Sequence, residues 1–183
     1  MTPETLHRKV AEFEAAYDYD ASYQHEMIDA APGAAGIFMT LPLMVDRNAA
    51  PAAALCAAGM AAMYVEDCQP CSQIGLDIAR QAGVPAEVVR AIVAGDKLSM
   101  GDDAALAWRF ANAVLARNEE AAAPLRREIV HKWGSAGLMA ISLQITTARM
   151  YPTMKYALGH GQPIRELKVD GQNAPLARIA EAA

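Results

Sequence analysis

Two cysteines separated by two residues are the part of this sequence that predicts chemistry most directly. Cys68 and Cys71 form a Cys-x-Pro-Cys motif where one helical pattern ends and the next begins. If Asp67 caps the second helix, Cys68 lies in its first turn and Cys71 lies one turn further along the same face. Pro70 fits this placement, because its missing N–H costs nothing in a first helical turn. Both thiols would then lie near the positive end of the helix dipole, which favours thiolate over thiol.

A thiol pair with this spacing predicts redox chemistry. One thiolate attacks a substrate, and the partner thiol resolves the product as a disulfide. Two intervening residues at a helix start bring the sulfurs close enough for that bond.

Three other interpretations of the motif compete with redox chemistry. Structural zinc would need two further ligands, but there is no second Cys-x-x-Cys and the four histidines are scattered, so we expect no metal and no cofactor. The pair could also be two small buried hydrophobic residues, because free cysteine is often buried. A thioredoxin fold carries similar motifs, but it needs a βαβ frame that this sequence lacks.

Composition limits the class of protein that must hold the motif. The chain has 183 residues, 54% of them hydrophobic, which is enough for one domain with a sizeable core. The formal net charge of -5 and the absence of a basic cluster argue against a nucleic-acid partner. An acidic N-terminal region without an apolar stretch, together with three cysteines, predicts a reducing compartment, by default the cytoplasm. The longest apolar run, residues 49–65, is rich in alanine and too short for a membrane span, so we expect a buried helix and no membrane partner.

Apolar residues recur at helical spacing through most of the chain, so the sequence predicts one all-α domain. We expect N-terminal helices in residues 1–48, a core with the Cys motif in 49–161 and a C-terminal tail in 162–183. No alternating stretch is long enough to predict a sheet. Asn48 should cap the Ala-rich helix, and Pro152 should kink or end the last long one. The expected helices cover residues 3–17, 22–30, 34–44 (short or bent), 49–65, 68 to about 82, 85–94, 104–117, 121–133, 135–150, 155–158 and 175–182.

A helix of small residues, then Cys-x-x-Cys, then an amphipathic helix ending in Gly-Val-Pro resembles the carboxymuconolactone decarboxylase family, and within it the alkylhydroperoxidase D-like members. The most specific part of the resemblance covers residues 66–94. Residues 102–161 are similar to an uncharacterised branch of the same superfamily, through the motifs Phe110-Ala111, Trp133-Gly134 and Tyr151-Pro152.

This resemblance implies a fold and an activity. The fold would be an alkylhydroperoxidase D-like helical bundle that forms homo-oligomers, and the activity would be peroxide reduction by the cysteine pair. By the same resemblance Cys71 attacks the peroxide and Cys68 resolves the product. Helix-dipole reasoning alone favours Cys68 as the attacking thiol, because it lies nearer the helix start.

The sequence departs from the proton relay of that family at three positions. Cys56 stands where the family pattern has a Glu, Gly75 stands where it has a His, and Pro70 replaces a further His of alkylhydroperoxidase D. General-base help is commonly worth about 100- to 10,000-fold, so its loss predicts a slow peroxidase unless another group substitutes. Glu66 is the nearest candidate base, although an acid beside a helix start can also be a capping or solvated carboxylate. Cys56 is either a third redox thiol or a small buried residue.

A few other side chains could reach a site. His25 and its neighbour Tyr23 could approach a pocket from the N-terminal helices, and His160 could line a subunit boundary or the mouth of a site. Each histidine is more typical of an ordinary surface, core or helix-end position. The methionines are typical of core packing, or of an apolar ligand pocket: Met39, Met44, Met60, Met63, Met139, Met150 and Met154.

These observations predict a cytoplasmic, homo-oligomeric thiol redox protein that reduces peroxides or exchanges disulfides. Its catalytic residues would be Cys71, Cys68 and Glu66, and an external thiol donor would restore the reduced pair. The alternative is a non-catalytic or weakly catalytic helical module that binds a small apolar ligand or a partner. A decarboxylase-type reaction would rest on the family name alone.

Overall fold

The computed structural model describes residues 1–177 of the chain. Eight α-helices form the fold of this part, which confirms the all-α prediction, whereas the alkylhydroperoxidase D-like arrangement stays a prediction. None of these helices is long and apolar enough to cross a membrane. The helices are α1 (Pro3–Tyr17), α2 (Ser22–Ala30), α3 (Pro32–Thr40), α4 (Ala52–Glu66), α5 (Gln69–Gln81), α6 (Ala86–Ala94), α7 (Asp102–Leu115) and α8 (Glu119–Ala157), and a 3₁₀ turn (Leu41–Met44) follows α3.

Helix α4 is the centre of the larger hydrophobic core. Its residues 54–64 are all buried, and helices α5, α6, α7 and α8 pack around it. A helix that is apolar on every face must be covered on every face, and its alanines let the neighbours approach closely. The predicted cap Asn48 was wrong. Helix α4 begins after Pro51, whose backbone is extended, while the backbone N–H of Asn48 donates to Asp46 Oδ1 in the preceding turn.

The N-terminal helices form a second, smaller hydrophobic cluster. It contains residues of α1, α2, α3 and the α1–α2 loop: Leu6, Val10, Tyr19, Ala21, Tyr23, Ile28 and Ala35. Ile74 of α5 and Tyr151 of α8 pack against this cluster. The N-terminal cluster therefore meets the rest of the molecule at the helix that carries the cysteine pair.

Helix α8 is bent at Gly134, where the backbone is not helical (φ 69°, ψ -175°). A positive φ suits glycine, and the sequence predicted a helix boundary at this residue. The expectation that Pro152 ends the helix was wrong, because α8 continues through Pro152 to Ala157 with helical backbone angles, whereas a kink at Pro152 stays a prediction. Pro152 is buried, and we attribute the continuity to packing that outweighs the loss of one backbone hydrogen bond.

The segment after α8 contains a small antiparallel hairpin that the sequence analysis missed. Strand β1 (Lys168–Val169) pairs with β2 (Gln172–Asn173), and Asp170 and Gly171 form the turn with positive φ. Two-residue strands are too short to show alternation, although Asp-Gly is a typical hairpin turn signal. The predicted helix over residues 175–182 is absent at 175–177, and its remainder lies outside the described residues.

Candidate functional site

Cys68 and Cys71 form a disulfide at the start of α5, with their Cα atoms 5.4 Å apart. Cys68 is the N-cap residue, with extended backbone angles, and Cys71 lies in the first turn together with Pro70. The predicted cap Asp67 was wrong. Asp67 ends α4 in the left-handed conformation (φ 50°). The chain must change direction there, because only Asp67 and Cys68 connect α4 to α5.

The two cysteines have different surroundings. Cys68 is completely buried, with 0% exposure. Cys71 is 6% exposed and lines a cavity of about 420 Å³. A small molecule in this cavity would therefore meet Cys71 rather than Cys68.

The segment after α8 is attached to the residues on either side of Cys68. The backbone N–H of Ile164 donates to Asp67 Oδ1 at 2.8 Å. The side-chain Oε1 of Gln69 accepts from the backbone N–H groups of Arg165 and Glu166 at 2.7 and 3.1 Å. These bonds hold the start of α5 in place.

The cavity lies between the larger core and the N-terminal cluster. Its wall is mostly apolar, with side chains from both clusters. Residues from the two clusters that line it include Leu6, Val10, Tyr19, Tyr23, Leu55 and Met63. An apolar cavity with a few polar groups in its wall is the usual form of a small-molecule site.

Two of the three positions at which the sequence departs from the family's proton relay, Cys56 and Gly75, also line this cavity, but their residues cannot move a proton near neutral pH. Burial raises the pKa of the Cys56 thiol to about 12. Gly75 has no side chain, and a Cβ added there would lie 3.3 Å from Cε of Met63. The space that a histidine would need is therefore occupied by Met63.

Glu66, the predicted base, is engaged elsewhere. Its Oε1 pairs with Nε of Arg149 at 2.6 Å, and its Oε2 accepts from the Thr153 hydroxyl at 3.2 Å. Arg149 and Thr153 line a different surface groove, and Glu66 is not among the residues that line the Cys71 cavity.

The candidate histidines do not line the cavity either. Nδ1 of His25 lies 2.6 Å from Nδ1 of His7, and its Nε2 lies 3.3 Å from Glu14. Nε2 of His160 contacts Glu26 at 2.9 Å. Within residues 1–177, no three His, Cys, Asp or Glu side chains are arranged to hold a metal ion.

The methionines do not form one group. Met60 is buried in the core, and Met39 and Met63 line the cavity. Met44 and Met139 are exposed, so the prediction that they fill the core was wrong. Helical spacing alone does not tell which side of a helix faces the core when both sides carry apolar residues.

A buried hydrogen-bond chain that the sequence analysis missed ends at the cavity. Lys155 is 1% exposed, and its Nζ donates to the Tyr19 hydroxyl at 3.2 Å. The same Nζ lies 4.7 and 5.1 Å from the ring centres of Tyr19 and Tyr23. The Tyr19 hydroxyl donates to the Tyr23 hydroxyl at 3.5 Å. Burial lowers the pKa of the Lys155 ammonium, which makes a neutral amine more accessible.

The end of this chain is available to a ligand. The Tyr23 hydroxyl accepts from Tyr19 and from Nε2 of Gln24, so its own hydrogen remains for another acceptor. Tyr19, Tyr23 and Gln24 all line the cavity. In the sequence, Lys155 resembles any lysine in a last helical turn, where a cation suits the dipole, so nothing indicated its burial.

The buried tyrosines predict a loss of stability at alkaline pH. Burial raises the pKa of Tyr19 and of Tyr64 to about 12, and it also raises the pKa of Tyr23 and Tyr151. The pKa of each buried tyrosine in the folded protein exceeds the value of about 10 in the unfolded chain. The contribution of these neutral tyrosines to the free energy of unfolding is therefore complete below pH 10 and is lost as the pH rises towards 12. Alkaline titration should show tyrosinate absorbance appearing together with loss of helical circular dichroism. Ionisation of more than two of the six tyrosines in a still-helical protein would contradict the prediction, because four of the six are the buried ones, and urea-unfolded protein provides the reference titration.

No protein-family model, curated protein or solved structure matches the chain. The resemblance to the carboxymuconolactone decarboxylase family therefore stays a prediction from the sequence. The function must be inferred from the site itself.

Proposed function

We propose that this protein is a thiol-dependent peroxidase that reduces organic hydroperoxides, with Cys71 as the attacking thiol and Cys68 as the resolving thiol. The observation that carries this proposal is that Cys71 lines an apolar cavity while its disulfide partner is completely buried. Apolar walls favour a substrate with a carbon chain over hydrogen peroxide.

The reaction would proceed in three balanced steps. The Cys71 thiolate attacks the terminal oxygen of the hydroperoxide, the O–O bond breaks, and Cys71 becomes a sulfenic acid as an alkoxide leaves. Cys68 then attacks the Cys71 sulfur, forming the disulfide and releasing water. An external thiol donor reduces the disulfide by thiol exchange and is itself oxidised to a disulfide.

The proton of the Cys71 thiol must reach the departing alkoxide. We assign this transfer to the chain of Tyr23, Tyr19 and Lys155. A neutral Lys155 amine accepts the proton through the two hydroxyls, and the ammonium returns it to the alkoxide, which becomes an alcohol. The inward transfer requires both hydroxyls to rotate, so that Tyr23 donates to Tyr19 and Tyr19 donates to the neutral amine. In the orientation of the structure Lys155 donates to Tyr19 and Tyr19 to Tyr23, and the free Tyr23 hydrogen can be donated to the alkoxide. The burial of Lys155 supports the neutral amine that this assignment needs.

The cellular setting is part of the same proposal. We propose a homo-oligomer in the cytoplasm, on the grounds of the family resemblance and of the close cysteine pair, which suits a thiol enzyme of a reducing compartment. The external donor would be a cellular thiol, because a peroxidase disulfide must be reduced after each turnover.

The test is the oxidation of fully reduced protein by a small excess of cumene hydroperoxide. We expect the intact mass to fall by two hydrogens and the titratable thiols to fall from three to one, because Cys56 stays reduced. Peptide mapping should locate the new disulfide at Cys68 and Cys71. A Cys56→Ser variant serves as the control and should oxidise at the same rate. The proposal would be overturned if the protein thiols reacted with the hydroperoxide no faster than a small-molecule thiol does.

The second candidate function is a helical module that binds an apolar ligand without turnover. The cavity and the missing Glu and His of the family relay favour it. It predicts thiols that do not react with hydroperoxide, together with a melting temperature that rises when the cavity is filled.

A further inference from the structure

Among the described residues, the charged side chains of the cavity wall are all cationic. Lys9 of α1 and Arg47 line the cavity, and no Asp or Glu of residues 1–177 does so. Both side chains belong to exposed residues, as does Leu43, which is 79% exposed, so they lie where the cavity opens to solvent.

Within residues 1–177 these two cations have no acidic partner at salt-bridge distance. In the part of the chain that the structure describes, neither Lys9 nor Arg47 forms a salt bridge, whereas other cations such as Arg80 and Arg126 do. Asp46, the acid next to Arg47, accepts a hydrogen bond from the backbone N–H of Asn48 instead. Their charges are therefore available to an anion at the cavity mouth.

The inner wall of the cavity has the opposite character. Buried apolar residues such as Leu6, Val10 and Leu55 face it. Its hydroxyl and amide groups are uncharged, and the Lys155 nitrogen lies behind the Tyr19 hydroxyl. A ligand that matches the whole cavity has an apolar chain inside and a negative head group outside.

We propose that the cavity binds a single-chain aliphatic carboxylate, with the chain between the N-terminal cluster and α4 and the carboxylate at Lys9 and Arg47. This inference rests on the cavity of the proposed function but not on its redox step. If the redox step also occurs, the substrate is an aliphatic carboxylate that carries a hydroperoxide group. Without that step, it defines the ligand of a binding module.

The test compares decanoate, decanol and decyltrimethylammonium by isothermal titration calorimetry on the disulfide form of the full chain. The three probes share one chain length and differ in head-group charge. We expect one decanoate per chain, bound at least about tenfold more tightly than decanol, and the cationic probe bound most weakly. Because the disulfide form is used, peroxidase failure does not affect this result.

Two variants locate the head group and the chain. The double variant Lys9→Gln/Arg47→Gln should remove the difference between decanoate and decanol while keeping decanol binding, since only charge changes at an exposed mouth. Neutralising two exposed cations outside the cavity wall, Lys97→Gln/Arg109→Gln, is the matched control and should leave the difference intact. Ala148→Leu, which enlarges a side chain of the wall, should weaken both probes alike.

Several results would overturn the proposal. Equal affinity for decanoate and decanol, no binding of either, or binding of many decanoates per chain would each exclude a specific carboxylate site. So would a decanoate preference that survives in Lys9→Gln/Arg47→Gln. Circular dichroism of each variant checks that it is folded. If Ala148→Leu does not fold, the comparison of the two charge variants is sufficient to decide the proposal.

Discussion

Replacing Cys71 by serine is expected to reduce hydroperoxide consumption to the uncatalysed background, whereas Cys68→Ser should still consume one equivalent per chain. The difference follows from their positions. Cys71 lines the cavity and meets the substrate, and Cys68 is completely buried and acts after the O–O bond has broken. Without Cys68 the sulfenic acid has no resolving thiol.

The measurement is single-turnover consumption of cumene hydroperoxide by reduced protein without any external thiol. Mass spectrometry of Cys68→Ser should show one added oxygen, trapped on Cys71 by dimedone. The wild type should instead lose two hydrogens. The opposite pattern, with activity lost in Cys68→Ser and a sulfenic acid on Cys68 in Cys71→Ser, would mean that the helix dipole rather than cavity access selects the attacking thiol.

Replacing Lys155 by methionine is expected to slow peroxide reduction at neutral pH by about 100- to 10,000-fold, the usual worth of general acid–base catalysis. Stability should not fall. A buried ammonium is costly to desolvate, and an unbranched apolar side chain of similar length keeps the packing, so the free energy of unfolding should stay equal or rise. Loss of rate without loss of stability would separate proton transfer from a structural role.

The pH profile gives the sharper test of Lys155. In the wild type the rate of peroxide reduction should rise with pH as the Lys155 ammonium loses its proton. This rise should occur at a lower pH than an ordinary lysine would give, because burial lowers the pKa of Lys155. In Lys155→Met this inflection should disappear, and the rate should instead follow the ionisation of the Cys71 thiol. Tyr19→Phe, which removes the hydroxyl that contacts Nζ, should have the same effect.

Tyr151→Phe is the matched control for Tyr19→Phe. Tyr151 also lines the cavity, but its hydroxyl makes no hydrogen bond to Lys155, Tyr19 or Tyr23. The rate and pH profile of the Tyr151→Phe variant should stay close to those of the wild type. A wild-type profile in Lys155→Met, or equal losses in Tyr19→Phe and Tyr151→Phe, would rule out the proton chain.

Local sequence signals were enough to predict the helices and several of their ends. The bounds of α1 and α2 were predicted correctly, because Pro3 begins a regular apolar stripe and Pro32 follows the end of α2. Gly95 and Gly134 were recognised as helix boundaries, because a positive φ is inexpensive for glycine. The Cys-x-Pro-Cys motif predicted a sulfur pair close enough to form a disulfide, and the structure contains that bond.

The ends of helices that depend on neighbouring elements were predicted less well. Asp67 favours a capping role by residue type, but it closes α4 and binds the backbone of Ile164, which lies 97 residues further along the chain. Pro152 favours a helix end, but burial of α8 maintains the helix through it. In both cases a tertiary contact outweighs a local preference.

The sequence by itself determined that this is an all-α protein with a cysteine pair at a helix start. The tertiary structure decided which cysteine lines a cavity, where Glu66 is engaged, and that Lys155 lies beside a tyrosine 136 residues earlier in the chain. The physical reason is that helical periodicity depends on neighbours three and four residues apart, whereas a cavity and the burial of a charge depend on how separate helices pack. The space between the N-terminal cluster and α4 exists only after those helices have come together.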